Sequence, residues 1–117
     1  MRKIYHLGSC NTCQRIIADL GPLEGFEMQE IKAQPITADQ LHEMRTLTTS
    51  YESLFSRRAM RFRQEGLHEK SLTEDDYRSL ILEHYTFLKR PVILYDSHIF
   101  IGNSKKTVQA AKDLISS

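Results

Sequence analysis

The sequence predicts an α/β domain in which a strand–helix–strand unit and a strand–strand–helix unit flank a long helical segment. Three observations predict it. Apolar runs with strand character fall only near the two ends of the chain, at 3–7 and 26–31 and again at 91–95 and 98–101. Between them, from about 37 to 89, apolar residues recur at helical spacing. Both cysteines sit in one window, Cys10-Asn11-Thr12-Cys13, where the first strand gives way to the first helix.

Each element has a local reason. Lys3-Ile4-Tyr5-His6-Leu7 reads as a strand, Gly8-Ser9 as a turn, and residues 14–20 as a helix ended by Gly21-Pro22. Phe26 to Ile31 alternates apolar and polar, so the first two strands form a βαβ unit, parallel and joined by a right-handed crossover. Thr37-Ala38-Asp39-Gln40 is a capping box, with Leu41, Met44 and Leu47 following at helical spacing. A helix is expected from Ser53 to Glu65, stopped by Gly66. A second capping box is Ser71–Glu74 or, in a shifted register, Thr73–Asp76, ahead of a helix with Tyr77, Leu80, Ile81 and His84 on one face. Pro91 opens a β-branched strand to Tyr95, Asp96-Ser97 turns it, and His98–Ile101 returns as a hairpin. A last helix places Val108, Ala111, Leu114 and Ile115 toward the core. The order is that of a thioredoxin-like fold with a helical insertion at about 37–89, within one domain spanning 1–117.

Composition excludes several classes. The 117 residues suit one domain, and 40% hydrophobic with 26% charged residues is ordinary for a soluble globular protein. A net charge of +1 gives no general attraction to nucleic acid or anionic membranes. Arg61 and Arg63 read as a solvated basic face, and the Arg57–Arg63 stretch lacks the aromatic platform that direct nucleic-acid binding needs. No run approaches the ~20 apolar residues of a membrane span, and Met1-Arg2-Lys3 leads straight into a strand and not a signal-peptide core. A cytoplasmic monomer is expected.

In a reducing compartment a C-x-x-C pair is more often chemical than structural. A cysteine at a strand-to-helix turn faces the unpaired N–H groups of the helix's first turn, which favour thiolate, the reactive form. Cys10 is the expected nucleophile and Cys13, one turn on, the partner that closes a disulfide on it. Zinc needs two further ligands, and the five scattered histidines form no ligand pattern, so no metal is expected. Asn11 and Thr12 shape the loop and offer N–H donors, with helix capping an equal alternative for their side chains.

The C-x-x-C after the first strand, the helical middle segment, Leu88-Lys89-Arg90-Pro91-Val92 and the ending Ile101-Gly102-Asn103 together carry a resemblance to a known family. Over nearly its full length the chain resembles the arsenate reductase (ArsC) and Spx family of thioredoxin-like proteins. The resemblance implies that Cys10 is the nucleophilic or sensing cysteine and Cys13 its reversible disulfide partner. It implies that Arg90 precedes a cis proline, Pro91, lying against the active cysteine. Arg58 matches the family arginine of the middle segment, with Arg57 the alternative. Guanidinium groups beside Cys10 would lower its pKa and hold an oxyanion or a glutathione carboxylate in forked hydrogen bonds. No bound cofactor is expected, with glutathione or a thioredoxin system as reductant and a small thiol or oxyanion as substrate.

The departures from the family bear on the subfamily. Arsenate reductases of this kind carry an arginine four residues after the cysteine, where this chain has Gln14 followed by Arg15. Their third arginine, before the last helix, is replaced by Asn103. Spx-type regulators carry a middle-segment glycine that contacts the RNA polymerase α subunit, and Ser50 aligns with it. The expected function is a thiol–disulfide oxidoreductase. The alternative is an Spx-like redox-sensing regulator that binds RNA polymerase through a Cys10–Cys13 switch.

Overall fold

A computed structural model describes all 117 residues. In chain order the elements are β1 (Arg2–His6), α1 (Asn11–Asp19), β2 (Glu27–Glu30), α2 (Ala38–Thr46), α3 (Met60–Gln64), α4 (Glu74–Glu83), β3 (Val92–Tyr95), β4 (His98–Ile101) and α5 (Lys105–Ile115). Short 3₁₀ turns at Glu52–Leu54, Leu67–Glu69 and Tyr85–Phe87 punctuate the middle. The chain divides into two compact units, one of residues 1–34 and 90–117, the other of residues 35–89.

The first unit is a four-stranded sheet in the order β2-β1-β3-β4, with β1 parallel to β2 and antiparallel to β3, and β3 antiparallel to β4. This is the thioredoxin-like α/β arrangement that the element order predicts. Ile4 and Ile93 from the sheet bury against Ile16 and Leu20 of α1 and Ala111 of α5, with Val108 and Ile115 packed around them. Leu114 is only half-buried and lies outside that cluster. Gly21, at φ +83°, takes the left-handed conformation that ends α1.

The alternation along β2 identifies the strand but not the covered face. Met28 is 42% exposed while Gln29 is buried. Burial of the amide is tolerable because its Nε2 donates to the Gln34 carbonyl at 2.9 Å. Lys3 is buried for a similar reason: its ammonium reaches Glu27 at 3.4 Å and lies over the Tyr5 ring.

In the second unit both capping boxes form. Thr37 and Gln40 exchange side-chain bonds with each other's backbone at the start of α2. At α4 the register is Thr73–Asp76, which decides between the two readings. Tyr77 and Ile81 are buried along α4, while His84 ends the helix and caps the following 3₁₀ turn.

The helix expected from Ser53 to Glu65 is not continuous. Phe55 leaves the first 3₁₀ turn extended and bridges to Leu88, with Lys89 N–H donating to Leu54 at 2.8 Å and Ser56 N–H to Phe87 at 2.7 Å. The Phe55 ring stacks on Phe87 and also packs on Tyr77 and Phe62. Aromatic burial and the Phe55–Leu88 bridge together outweigh the helical preference of Arg57 and Arg58. Helix resumes only at Met60, and Gly66, at φ +69°, ends that stretch as expected.

Candidate active site

The site begins where β1 runs out. The Leu7 carbonyl accepts two hydrogen bonds at 3.1 Å, one from the Cys10 N–H and one from the Gln14 side-chain amide. These close a tight turn over Gly8 and Ser9 and set Cys10 in an extended conformation as the N-cap of α1. The helix therefore starts at Asn11, three residues before the start read from the sequence. Caps are ordinarily Ser, Thr, Asp or Asn; here the capping atom is Cys10 Sγ, which accepts the Cys13 N–H at 3.5 Å. A thiolate is a better acceptor than a thiol, so the cap and the charged sulfur stabilise each other.

The two thiols, both free and reduced, are pushed in opposite directions. Partial burial alone would push the Cys10 thiol up. The Cys13 N–H, the Cys13 side chain and the Arg90 charge and hydrogen bond together outweigh burial and hold it below its ordinary value. Cys13 is buried, and that burial, with the thiolate beside it, pushes its own thiol up to about 11. Cys10 is thus the half-buried sulfur with the lowered pKa, and Cys13 the buried one that keeps its proton at neutral pH.

Arg90 reaches Cys10 from the chain segment just before β3, and the Arg90–Pro91 peptide is cis, as the family resemblance implies. Asn11 and Thr12 are the first two residues of α1. Neither side chain caps the helix, because the sulfur has taken that place. Their N–H groups belong to the helix's first turn, which lacks intrahelical acceptors. Arg58 is exposed just before α3, in the inserted unit. Its alternative, Arg57, is engaged with Glu52 and the Tyr77 hydroxyl, which raise its pKa and tie it into that unit. Asn103 is exposed in the loop before α5, and Ser50 bonds Ser53.

Two residues near the site are not evident from the sequence. Gln14, noted there only as a departure from arginine, braces the Leu7 carbonyl and lies 3.5 Å from His6 Nδ1. Glu30, at the end of β2, accepts the Gly8 N–H at 2.6 Å and the Lys32 and Ala33 N–H groups at 2.8 Å each. Those bonds hold its carboxyl below the usual range, the Gly8 N–H contributing most. The one sequence signal is that Glu30 breaks the alternation of β2, falling in phase with Phe26 and Met28 where Glu27 does not. Elsewhere, no three His, Cys, Asp or Glu side chains gather as metal ligands would, and no helix is long and apolar enough to cross a membrane.

The chain is 28% identical over 112 residues to the global transcriptional regulator Spx 1 of Lactococcus lactis, covering 94% of this chain and 88% of that protein. Its fold matches an ArsC-family-related protein from Bacteroides fragilis with a TM-score of 0.79 at 17% identity, covering 94% and 96% of the two chains. It also matches an arsenate reductase from Vibrio cholerae with a TM-score of 0.73 at 18% identity, covering 94% and 96%. The ArsC family profile matches residues 5–111, through both cysteines, Arg90 and most of α5. On that match, the chain belongs to the ArsC family.

Proposed function

We propose that the chain is a thiol–disulfide oxidoreductase in which Cys10 attacks and Cys13 resolves. The observation that carries this reading is the asymmetry of the pair: Cys10 partly exposed with a lowered pKa, Cys13 buried with a raised one. The Cys10 thiolate attacks one sulfur of a small disulfide or glutathione adduct, forming a mixed disulfide and expelling the other sulfur as a thiolate that takes up a proton. Attack removes the negative charge on Cys10 that had helped hold the Cys13 proton. Cys13 then loses its proton more easily, attacks Cys10 Sγ and expels the second thiolate, leaving a Cys10–Cys13 disulfide. Two glutathione thiols or a thioredoxin-type dithiol supply the two electrons that restore the reduced pair.

Arg90 and the Asn11 and Thr12 N–H groups form an electropositive mouth suited to a carboxylate or an oxyanion on the substrate. With Gln14 and Asn103 where arsenate reductases carry arginines, the mouth holds less positive charge for a multiply charged anion, which favours a disulfide over arsenate as substrate. A reducing cytoplasm is the setting in which the pair rests as thiols.

The similarity to proteins named as global transcriptional regulators favours a second reading. In it the same pair is a switch, oxidised without turnover, that alters contact with the RNA polymerase α subunit. One experiment separates the two. The reduced protein is given a small mixed disulfide with glutathione, and glutathione oxidation is followed through a coupled reductase. Steady turnover, absent in Cys10→Ser, supports the oxidoreductase. Oxidation that stops at one disulfide per chain, with capture of the purified α subunit by one redox state only, overturns it for the switch.

A further inference from the structure

We infer that Glu30 is a positioning residue for Cys10: its carboxylate clips the Gly8–Ser9 turn to the end of β2 and so keeps the thiol seated on the α1 N-terminus. The inference rests on the reading of Cys10 as the attacking thiol.

β1 and β2 run parallel with His6 opposite Glu30, and one further ladder bond, Ile31 N–H to the His6 carbonyl at 2.9 Å, ends their pairing. Beyond it both chains turn away and the ladder can no longer serve their N–H groups. One carboxylate takes over at that point. Oε2 accepts the Gly8 N–H at 2.6 Å, while Oε1 accepts the Lys32 and Ala33 N–H groups at 2.8 Å. The clip thus joins the turn after β1 to the turn after β2.

Gly8 leaves the room this needs. A Cβ there would lie 3.3 Å from Glu30 Oε2, closer than most such contacts, so a side chain at this position would press on the carboxylate. Two residues on, Cys10 Sγ accepts the Cys13 N–H at 3.5 Å, an ordinary distance for a sulfur acceptor, so the turn ahead of Cys10 helps set where the sulfur sits on the helix. A turn released at Gly8 no longer fixes the approach of Cys10 to that N–H. His6 faces Glu30 as a further charge partner, while Arg90 and Cys13 face the thiol.

The sign of one substitution separates positioning from simple charge. Removing a negative charge near a thiolate lowers the thiol pKa, whereas unseating the sulfur from the helix N-terminus raises it. The test is the pH dependence of Cys10 alkylation in a Cys13→Ser background, with Glu30→Ala and Glu30→Gln beside it. The glutamine keeps one acceptor oxygen and serves if the alanine variant does not fold. The expected result is an upward shift of about half a unit to one unit for Glu30→Ala, about 3- to 10-fold slower alkylation at pH 7, and a smaller shift the same way for Glu30→Gln. A lowered or unchanged midpoint, with thermal stability alone reduced, overturns the inference. An ordinary midpoint in the parent protein overturns the reading of Cys10 as well, and so tells the two failures apart.

Discussion

Cys10 and Cys13 share one helical turn, and what separates them chemically is their surroundings, not their own structure. Removing Arg90 leaves Cys10 with its helix cap but without a cation. Arg90→Ala is expected to raise the Cys10 midpoint and slow iodoacetamide alkylation at pH 7 by about 3- to 10-fold. Removing Cys13 takes away the resolving sulfur. Cys13→Ser should accumulate the Cys10 mixed disulfide with glutathione, seen by mass spectrometry as one adduct per chain that only added thiol removes. At this scale the sequence was informative where chemistry is local: a cysteine after Gly8-Ser9 and before a helix has little else to face. It said little of Glu30: the break in the alternation of β2 marks the residue, but not the three N–H groups that its carboxylate receives from two turns. The sulfur cap was hidden for a different reason. Cysteine is not among the usual N-cap residues, so the sequence pattern places the helix start at Gln14 and not at Asn11.

The helices were legible in proportion to how local their stop and start signals are. The α2 capping box is legible, and the α4 one to within two registers, because all their atoms lie within four residues. Thr73→Ala is expected to cost about 1 kcal/mol in urea unfolding, by analogy with other lost caps. The Asp76 side of that box adds a pH dependence. Hydrogen bonds from the Thr73 backbone and hydroxyl hold the Asp76 carboxyl below its ordinary value of 3.8. A depressed carboxyl stabilises the fold above its unfolded pKa, and that contribution is lost as pH falls through the folded one. The stability difference between the parent and Asp76→Asn should therefore be present at pH 7 and shrink below about pH 4. By contrast, the break between Ser53 and Met60 depends on Phe55 meeting Leu88, Phe87 and Tyr77, residues far along the chain. Periodicity within a short window carries no trace of such a partner.

Across the whole molecule, stability should concentrate where the sheet and its two helices bury the same side chains. Ile4 is fully buried at the centre of that cluster, and Ile4→Ala is expected to cost about 2–5 kcal/mol by denaturant unfolding. Met60 is 77% exposed, and Met60→Ala should stay within about 0.5 kcal/mol of the parent. The element order was enough to give the α/β topology, because strands, crossover and hairpin each leave their own pattern. Which face of β2 is covered was not, since Met28 and Gln29 invert the usual exchange of apolar in and polar out.

The place of Arg90 in the chain has a consequence for how the thiol acquires its acidity. The strand, turn and helix around Cys10 lie close together in sequence and can form early. Arg90 is the first residue to rejoin this unit after the whole insertion has been traversed, and it comes into position only when β3 lies down beside β1. A nascent chain, or one truncated before residue 90, carries a comparatively quiet sulfur. Alkylation of Cys10 at its full rate is then expected only once the sheet has closed.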